Sequence, residues 1–577
     1  MSFKCCRKSG LIILGLHLLA AFLVSVRPVE AAPTWHQVNG PGFTLLTSDS
    51  AEEAEDIARD YRQFIRALAQ LIPIELAQVT PLTITIMRSP RAFRPYRPLD
   101  PQGKPKDVAG YFTRDPSWAL AVIAGEWKGD AIRHIIQHEG VHLLLENTNV
   151  RRELWLEEGL AEVFATAKKT KDGFIIGYPI AHHVHFLRDY TTMSLGRLLA
   201  VNHKDPEYNE RSRTGRFYAT SWFLVHYVLF GEHEIPRTAI NTYLNAVRSM
   251  ERPAAFKHAF GLDYDEMQKR LKVYLRGGNF IQKILPDISD GTPLPATPAS
   301  PLAVEITLAR IAIKVDNYSR AEQHISRVRE LAPESAVSDE LDGYLNRERR
   351  DYPEAAVAFA RAAAKGSSDF GVYYWPAMFR ISKPEPMATP PDKLGTLPSL
   401  GSLMPNLEAP HSVDDPRWVA NQFKRAINLQ PRWLRSYTGL AAVIPQLPSL
   451  QKSDYDFLTK GVSLYPEELA ISIGMAIYEY RDGQTERARQ RISVVARAAE
   501  FQSDAKIQRK VALISEDWDY DEARNQVIKA INEKRLPEAR AAWEQLSAQN
   551  VRVERRTDLN HLFRVIERAE SVGSPTK

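Results

Sequence analysis

His138-Glu139-Gly140-Val141-His142 decides how this chain of 577 residues is read. The pattern around it, from about Asp130 to Glu146, predicts a helix, on which the two imidazoles lie one turn apart on the same face. Two nitrogens so placed reach one metal ion together. Glu139 is rotated off that line, where its carboxylate reaches a water on the open side of the ion.

Glu158 follows further along, inside Trp155-Leu156-Glu157-Glu158-Gly159-Leu160-Ala161-Glu162, the predicted start of a second amphipathic helix. Read alone, Glu158 and Glu162 are acids of a first helical turn, where the helix dipole favours them. A catalytic zinc, however, takes three protein ligands and keeps a fourth position for water, and two His with one carboxylate is a standard set. Taken together, the two strings resemble the gluzincin-clan zinc metallopeptidases, of the peptidase-MA-like kind. In that clan the third ligand is the Glu of a Trp-Leu-x-Glu-Gly-(Phe/Leu)-Ala string, which maps residue by residue onto Trp155 to Ala161.

The resemblance implies a Zn²⁺ site with His138, His142 and Glu158 as ligands and Glu139 as catalytic base. Glu162, one turn beyond the third ligand, would orient a ligating imidazole through its second nitrogen. Gly159 would let the histidine helix and the second helix approach closely. Glu157, rotated by about 100° from this face, is expected in solvent. His134 has no counterpart in the clan and is read as structural. The clan often supplies a Tyr or His from a downstream helix as a donor to the oxyanion. Tyr218 occupies that place within Arg216-Phe217-Tyr218-Ala219-Thr220-Ser221-Trp222, which resembles the clan's Tyr-Ala-x-Ser segment. A tyrosine covering the core is the other reading of Tyr218, and Tyr227 and His226 are alternative donors.

The flanking pattern is mixed, giving an α+β expectation. Phe43 to Thr47, Leu82 to Ile86, Val108 to Thr113 and Trp118 to Ala124 read as strands, and Ala51 to Leu71 as a long helix. A small mixed sheet with its edge strand along the substrate cleft, followed by the metal helix, is how the clan's domain begins. The expected metallopeptidase domain covers residues 32–282, and a Pro-rich interdomain linker covers 283–303.

Beyond it a repeat appears. Tyr318-Ser319-Arg320-Ala321 recurs as Tyr352-Pro353-Glu354-Ala355, at the tetratricopeptide period of about 34 residues. Ala426 to Pro431 and Gly461 to Pro466 recur at nearly the same spacing and resemble repeat ends, while Gln484 to Ala488 and Leu536 to Ala539 resemble helix starts. One helix pair cannot bury its apolar face alone, so residues 304–577 are expected to stack into an all-α, tetratricopeptide-like solenoid. Residues 376–416, with nine prolines, read as an irregular insertion.

Lys4 to Lys8, the apolar run Leu11 to Val26 and the small residues at Ala31-Ala32 describe a signal peptide over 1–31, with an uncleaved N-terminal anchor as the alternative. The expected location is periplasmic or secreted, with no membrane span after cleavage. Both cysteines, Cys5 and Cys6, lie in that segment, which leaves the mature chain no thiol for disulfides, metal binding or nucleophilic catalysis. The net charge is +5 and the charges are interspersed, arguing against nucleic-acid binding; basic Arg88 to Lys106 reads as a loop. The function expected is zinc-dependent hydrolysis of a peptide or protein substrate. With no amine-anchoring motif for an exopeptidase, internal cleavage is favoured, and the repeats would dock substrates or protein partners. The second expectation is a periplasmic repeat scaffold whose zinc domain is inactive or accessory.

Overall fold

Trp118-Ala119-Leu120-Ala121-Val122-Ile123-Ala124 is apolar at every position, as in a strand buried on both faces. The computed structural model describes residues 34–573 except 71–80, 100–102, 107, 109, 126–129, 147–152, 172, 190–191, 203–204, 210, 232–234, 237, 248–249, 287–290, 382–413, 502–503 and 549–552. Its strands in chain order begin with β1 (His36–Gly40), β2 (Phe43–Thr47), β3 (Leu82–Met87), β4 (Gly110–Asp115) and β5 (Trp118–Ala124). They continue with β6 (Lys168–Thr170), β7 (Gly173–Ile176), β8 (Lys283–Pro286) and β9 (Thr297–Pro298). A six-stranded mixed sheet has the order β4-β5-β3-β2-β1-β9. In it β2, β3 and β5 run parallel, while β4, β1 and β9 pair antiparallel with their neighbours. A second, antiparallel sheet joins β6, β7 and β8.

Alternation along the strands divides the large sheet into two buried faces. Leu45, Ile84, Ile86, Ala121 and Ile123 pack beneath helix Ala51–Ala69 and the helices that carry the histidines and glutamates. Leu46, Met87, Trp118, Leu120 and Val122 face the opposite way, into a core shared with Val304, Leu308, Ile311 and Tyr344 of the repeats. The sheet therefore lies between two helical layers, and the second layer belongs to the repeat region.

This arrangement corrects three sequence expectations. Residues 283–303 are not free linker: β8 pairs with β7, β9 with β1, Arg62 Nη1 donates to Thr292 O at 2.7 Å, and the Ala296 N–H donates to Glu55 Oε1 at 2.9 Å. The α+β unit consequently runs past residue 282 to β9. The insertion does not begin at 376, since helix Phe370–Ile381 continues through Pro376, which removes one backbone hydrogen bond while Tyr373, Tyr374 and Ala377 stay buried. Most of that insertion, and the whole of the signal segment 1–31, lies outside the described residues.

Among the described residues, the C-terminal half has helices as its only regular elements beyond β9. Antiparallel pairs follow one another: Pro301–Lys314 with Tyr318–Leu331, Val337–Glu348 with Tyr352–Ala364, Phe370–Ile381 with Pro416–Leu429, Leu434–Val443 with Lys452–Leu464, and Leu469–Arg481 with Thr485–Phe501. Ala505–Asn532, Leu536–Ser547 and Val553–Gly573 complete it. The recurring tyrosines open second helices, and Ala321 and Ala355 are both fully buried. The turns recur as well. Asp316, Arg350, Gly483 and Lys534 all have positive φ, and each stands two positions before a helix start. No helix among the described residues is long and apolar enough to cross a membrane.

Candidate metal centre

The helix over Asp130–Glu146 forms as expected and carries His134, His138 and His142 along one line. Helix Leu154–Phe164 faces it with Glu158 and Glu162, also one turn apart. Val141, Leu144, Trp155 and Leu156 are buried in the core beneath, which holds both polar edges in register. Gly159 serves a different approach from the one expected. A Cβ there would lie 2.6 Å from Ser221 O and 2.5 Å from Val225 Cγ2, so the bare glycine admits helix Arg211–Phe230 and not the histidine helix.

Three donor atoms converge. His138 Nε2 and His142 Nε2 are 3.1 Å apart, and Glu158 Oε2 lies 3.5 Å from the first and 3.3 Å from the second. An ion bound tetrahedrally at about 2.0–2.2 Å sets its ligands about 3.3–3.6 Å apart, so the triangle has the dimensions of one face of a zinc shell. Glu158 is 4% exposed and its Oε2 accepts no well-formed hydrogen bond among the described residues, while Oε1 accepts one from Tyr208 Oη at 3.2 Å. A buried carboxylate oxygen left open beside two imidazole nitrogens suits a cation, and the His₂Glu donor set suits zinc. His134, His138 and Glu162 form a second cluster of metal-binding type that shares His138 with the first.

Charge is concentrated here. Burial alone would lower His142, but the facing Glu158 carboxylate lifts it to about 9. His138 is raised against the same burial effect by the Glu158 carboxylate facing its Nε2. Burial would raise Glu158, but His142 and His138 pull it down to about 2. Glu139 is partly exposed, and its charge acts on His138, His142 and Tyr218. Tyr218 stacks on Tyr208 with ring centroids 6.3 Å apart. Burial first, then the charge of Glu158, holds the Tyr218 hydroxyl protonated well above the usual tyrosine range.

The structure thus brings together His138, Glu139, His142, Glu158, Glu162 and Tyr218. It sends the alternative donors elsewhere. His226 donates from Nε2 to Gly177 O at 2.8 Å inside an aromatic cluster, and Tyr227 is buried against Tyr274. Three neighbours escaped the sequence reading. Tyr208 lies in a short helix, Pro206–Asn209, with no spacing that links it to the motif. His183 approaches Glu162 Oε2 at 3.3 Å from helix Ala181–Asp189, and His134, read as structural, approaches the same oxygen at 3.4 Å. The adjacent pair His182-His183 was the available signal.

A family model described as a protein of unknown function, DUF1570, matches residues 133–248, the span that contains all of these side chains. No curated protein matches the chain. Similar solved structures include YrrB, described as a TPR protein with an unusual peptide-binding site. It is 13% identical with a TM-score of 0.26, over 36% of this chain and 90% of that one. The MamA protein is 11% identical with a TM-score of 0.23, over 35% and 94%. The pilF protein of Pseudomonas aeruginosa is 15% identical with a TM-score of 0.22, over 37% and 89%.

Proposed function

We propose that this chain is a zinc-dependent peptidase, cutting internal peptide bonds with a water activated at the His138–His142–Glu158 site. The observation that carries the reading is the 3.1–3.5 Å triangle of donor atoms with its open, buried Glu158 oxygen. Zinc bound there supplies Lewis-acid polarisation of the scissile carbonyl and a lower pKa for its water. Glu139 accepts the water's proton and delivers it to the leaving amine. Tyr218 donates its hydroxyl proton in a hydrogen bond to the oxyanion. Tyr208 fixes the second oxygen of Glu158, and the repeats bind protein substrates or partners. On the sequence of residues 1–31 the protein is exported, to the periplasm or beyond the cell.

The test is metal content and peptide-library turnover of wild type and Glu139→Gln. The amide is nearly isosteric but cannot take the proton, so zinc stays near one per chain while turnover falls by about 10²–10⁴. Near-normal turnover removes Glu139 from the reaction. Unchanged zinc after His138→Ala with His142→Ala places the metal elsewhere. A second reading, a repeat scaffold with an accessory zinc domain, is favoured by the core that the repeats share with the sheet. It predicts stoichiometric zinc without turnover on any library.

A further inference from the structure

Glu162 is only 8% exposed, yet three imidazoles surround its carboxylate. His138 Nδ1 lies 3.7 Å from Oε1, and His134 Nε2 and His183 Nε2 lie 3.4 and 3.3 Å from Oε2. The three differ in how firmly they are held. His134 is about one-third exposed, whereas His183 is 5% exposed and packs between the His182 ring at 4.2 Å and Trp222 at 5.8 Å. Trp222 itself is fully buried in helix Arg211–Phe230. His183 Nε2 and Glu162 Oε2 are both buried and form no well-aligned hydrogen bond with any described residue. They face one another at 3.3 Å, and the more exposed His134 Nε2 approaches the same oxygen at 3.4 Å. His183 is thus the rigid end of a chain of contacts running from Trp222 through His183 and Glu162 to His138.

We infer that His183 is a positioning residue of the metal centre: it grips Glu162, and Glu162 fixes the ring of His138. A ligating imidazole needs an acceptor at its second nitrogen to present the first as a lone pair in a set direction. Glu162, whose Oε1 lies 3.7 Å from His138 Nδ1, can close on that nitrogen as its acceptor only while its other oxygen is restrained. His183 supplies the restraint from a separate element, helix Ala181–Asp189, outside both sequence motifs. The inference rests on the zinc reading above.

The experiment measures the zinc dissociation constant of the full chain by chelator competition, with the cobalt(II) absorption spectrum as a second readout. His183→Phe keeps a ring against Trp222 but removes the donor; His183→Gln keeps a donor amide near the Nε2 position. The Phe variant should bind zinc roughly ten-fold more weakly and shift the cobalt bands, the loss expected of an outer-shell partner, while the Gln variant stays within about three-fold of wild type. Wild-type affinity in the Phe variant, or equal losses in both, overturns the positioning role. His142→Ala distinguishes the two levels. If wild type holds no zinc, or holds it equally without His142, the zinc reading falls and this inference falls with it. If His142→Ala loses zinc while His183→Phe does not, only the inference falls.

Discussion

Glu158 uses its two oxygens differently, with Oε1 taken by Tyr208 and Oε2 facing the histidines. In the metal-free chain that oxygen pairs with protonated His142, which gives a pH signature. His142 is raised from 6.5 to about 9, so its contribution is complete below pH 6.5 and disappears as pH rises through about 9. Glu158 is lowered from 4.5 to about 2, so its contribution is complete above pH 4.5 and disappears as pH falls through about 2. Chelated protein should therefore melt higher at pH 6 than at pH 10, and His142→Gln should flatten that alkaline decline. An unchanged decline in the variant counts against the pair. Tyr218→Phe should retain zinc and fold but lower turnover by roughly 10², the usual loss of one oxyanion donor. Equal turnover would leave Tyr218 a core residue. The convergence of His138, His142 and Glu158 was legible because their spacing is local to two helices. Tyr208 and His183 were not, because tertiary packing alone brings them to Glu158 and Glu162.

At the scale of elements, helix Leu154–Phe164 touches helix Arg211–Phe230 through a surface with no room for a methyl group at Gly159. Gly159→Ala would press on a backbone carbonyl and a buried valine, and should cost about 1–3 kcal/mol in denaturant melts despite alanine's better helix propensity. A variant as stable as wild type would show slack between the helices. Strands β2, β3 and β5 announced themselves by apolar alternation or continuous apolarity. β1 did not: only Val38 of His36–Gly40 is buried, so the pattern carries no period. β6 is Lys168-Lys169-Thr170, polar throughout, and becomes a strand by pairing with β7. The stretch 283–303 has a linker's composition. What fixes it is pairing with β1 and bonds from Arg62 to Thr292 and from Ala296 to Glu55, contacts between distant parts of the chain of which sequence pattern carries no trace.

For the whole molecule, the turn between β4 and β5 plugs into the repeats. Asp115 meets Arg347 at 2.5 Å and Lys314 at 3.4 Å, Ser117 Oγ lies 2.9 Å from both Tyr344 Oη and Asp369 Oδ1, and Arg310 covers the Trp118 ring. These partners come from the first helices of two successive pairs and from the segment that opens the third. A chain ended near Pro286 would lose them together with β9, baring Trp118, Leu120, Val122, Leu46 and Met87. It should aggregate on size-exclusion chromatography; a soluble, zinc-loaded monomer would show that the two faces of the sheet fold independently. Pairing of β9 with β1 also bears on biosynthesis. His36 and Pro298 are partners, so at a translation rate of about 5–20 residues per second β1 waits roughly 10–50 s for its outer neighbour to emerge. Through that interval the nascent protein has an open sheet edge and an uncovered apolar surface, although His138, His142 and Glu158, the three candidate metal ligands, have already been made. The window for self-association, and with it the demand on chaperones, is set by where Pro298 falls in the sequence and not by when the histidine and glutamate cluster comes together.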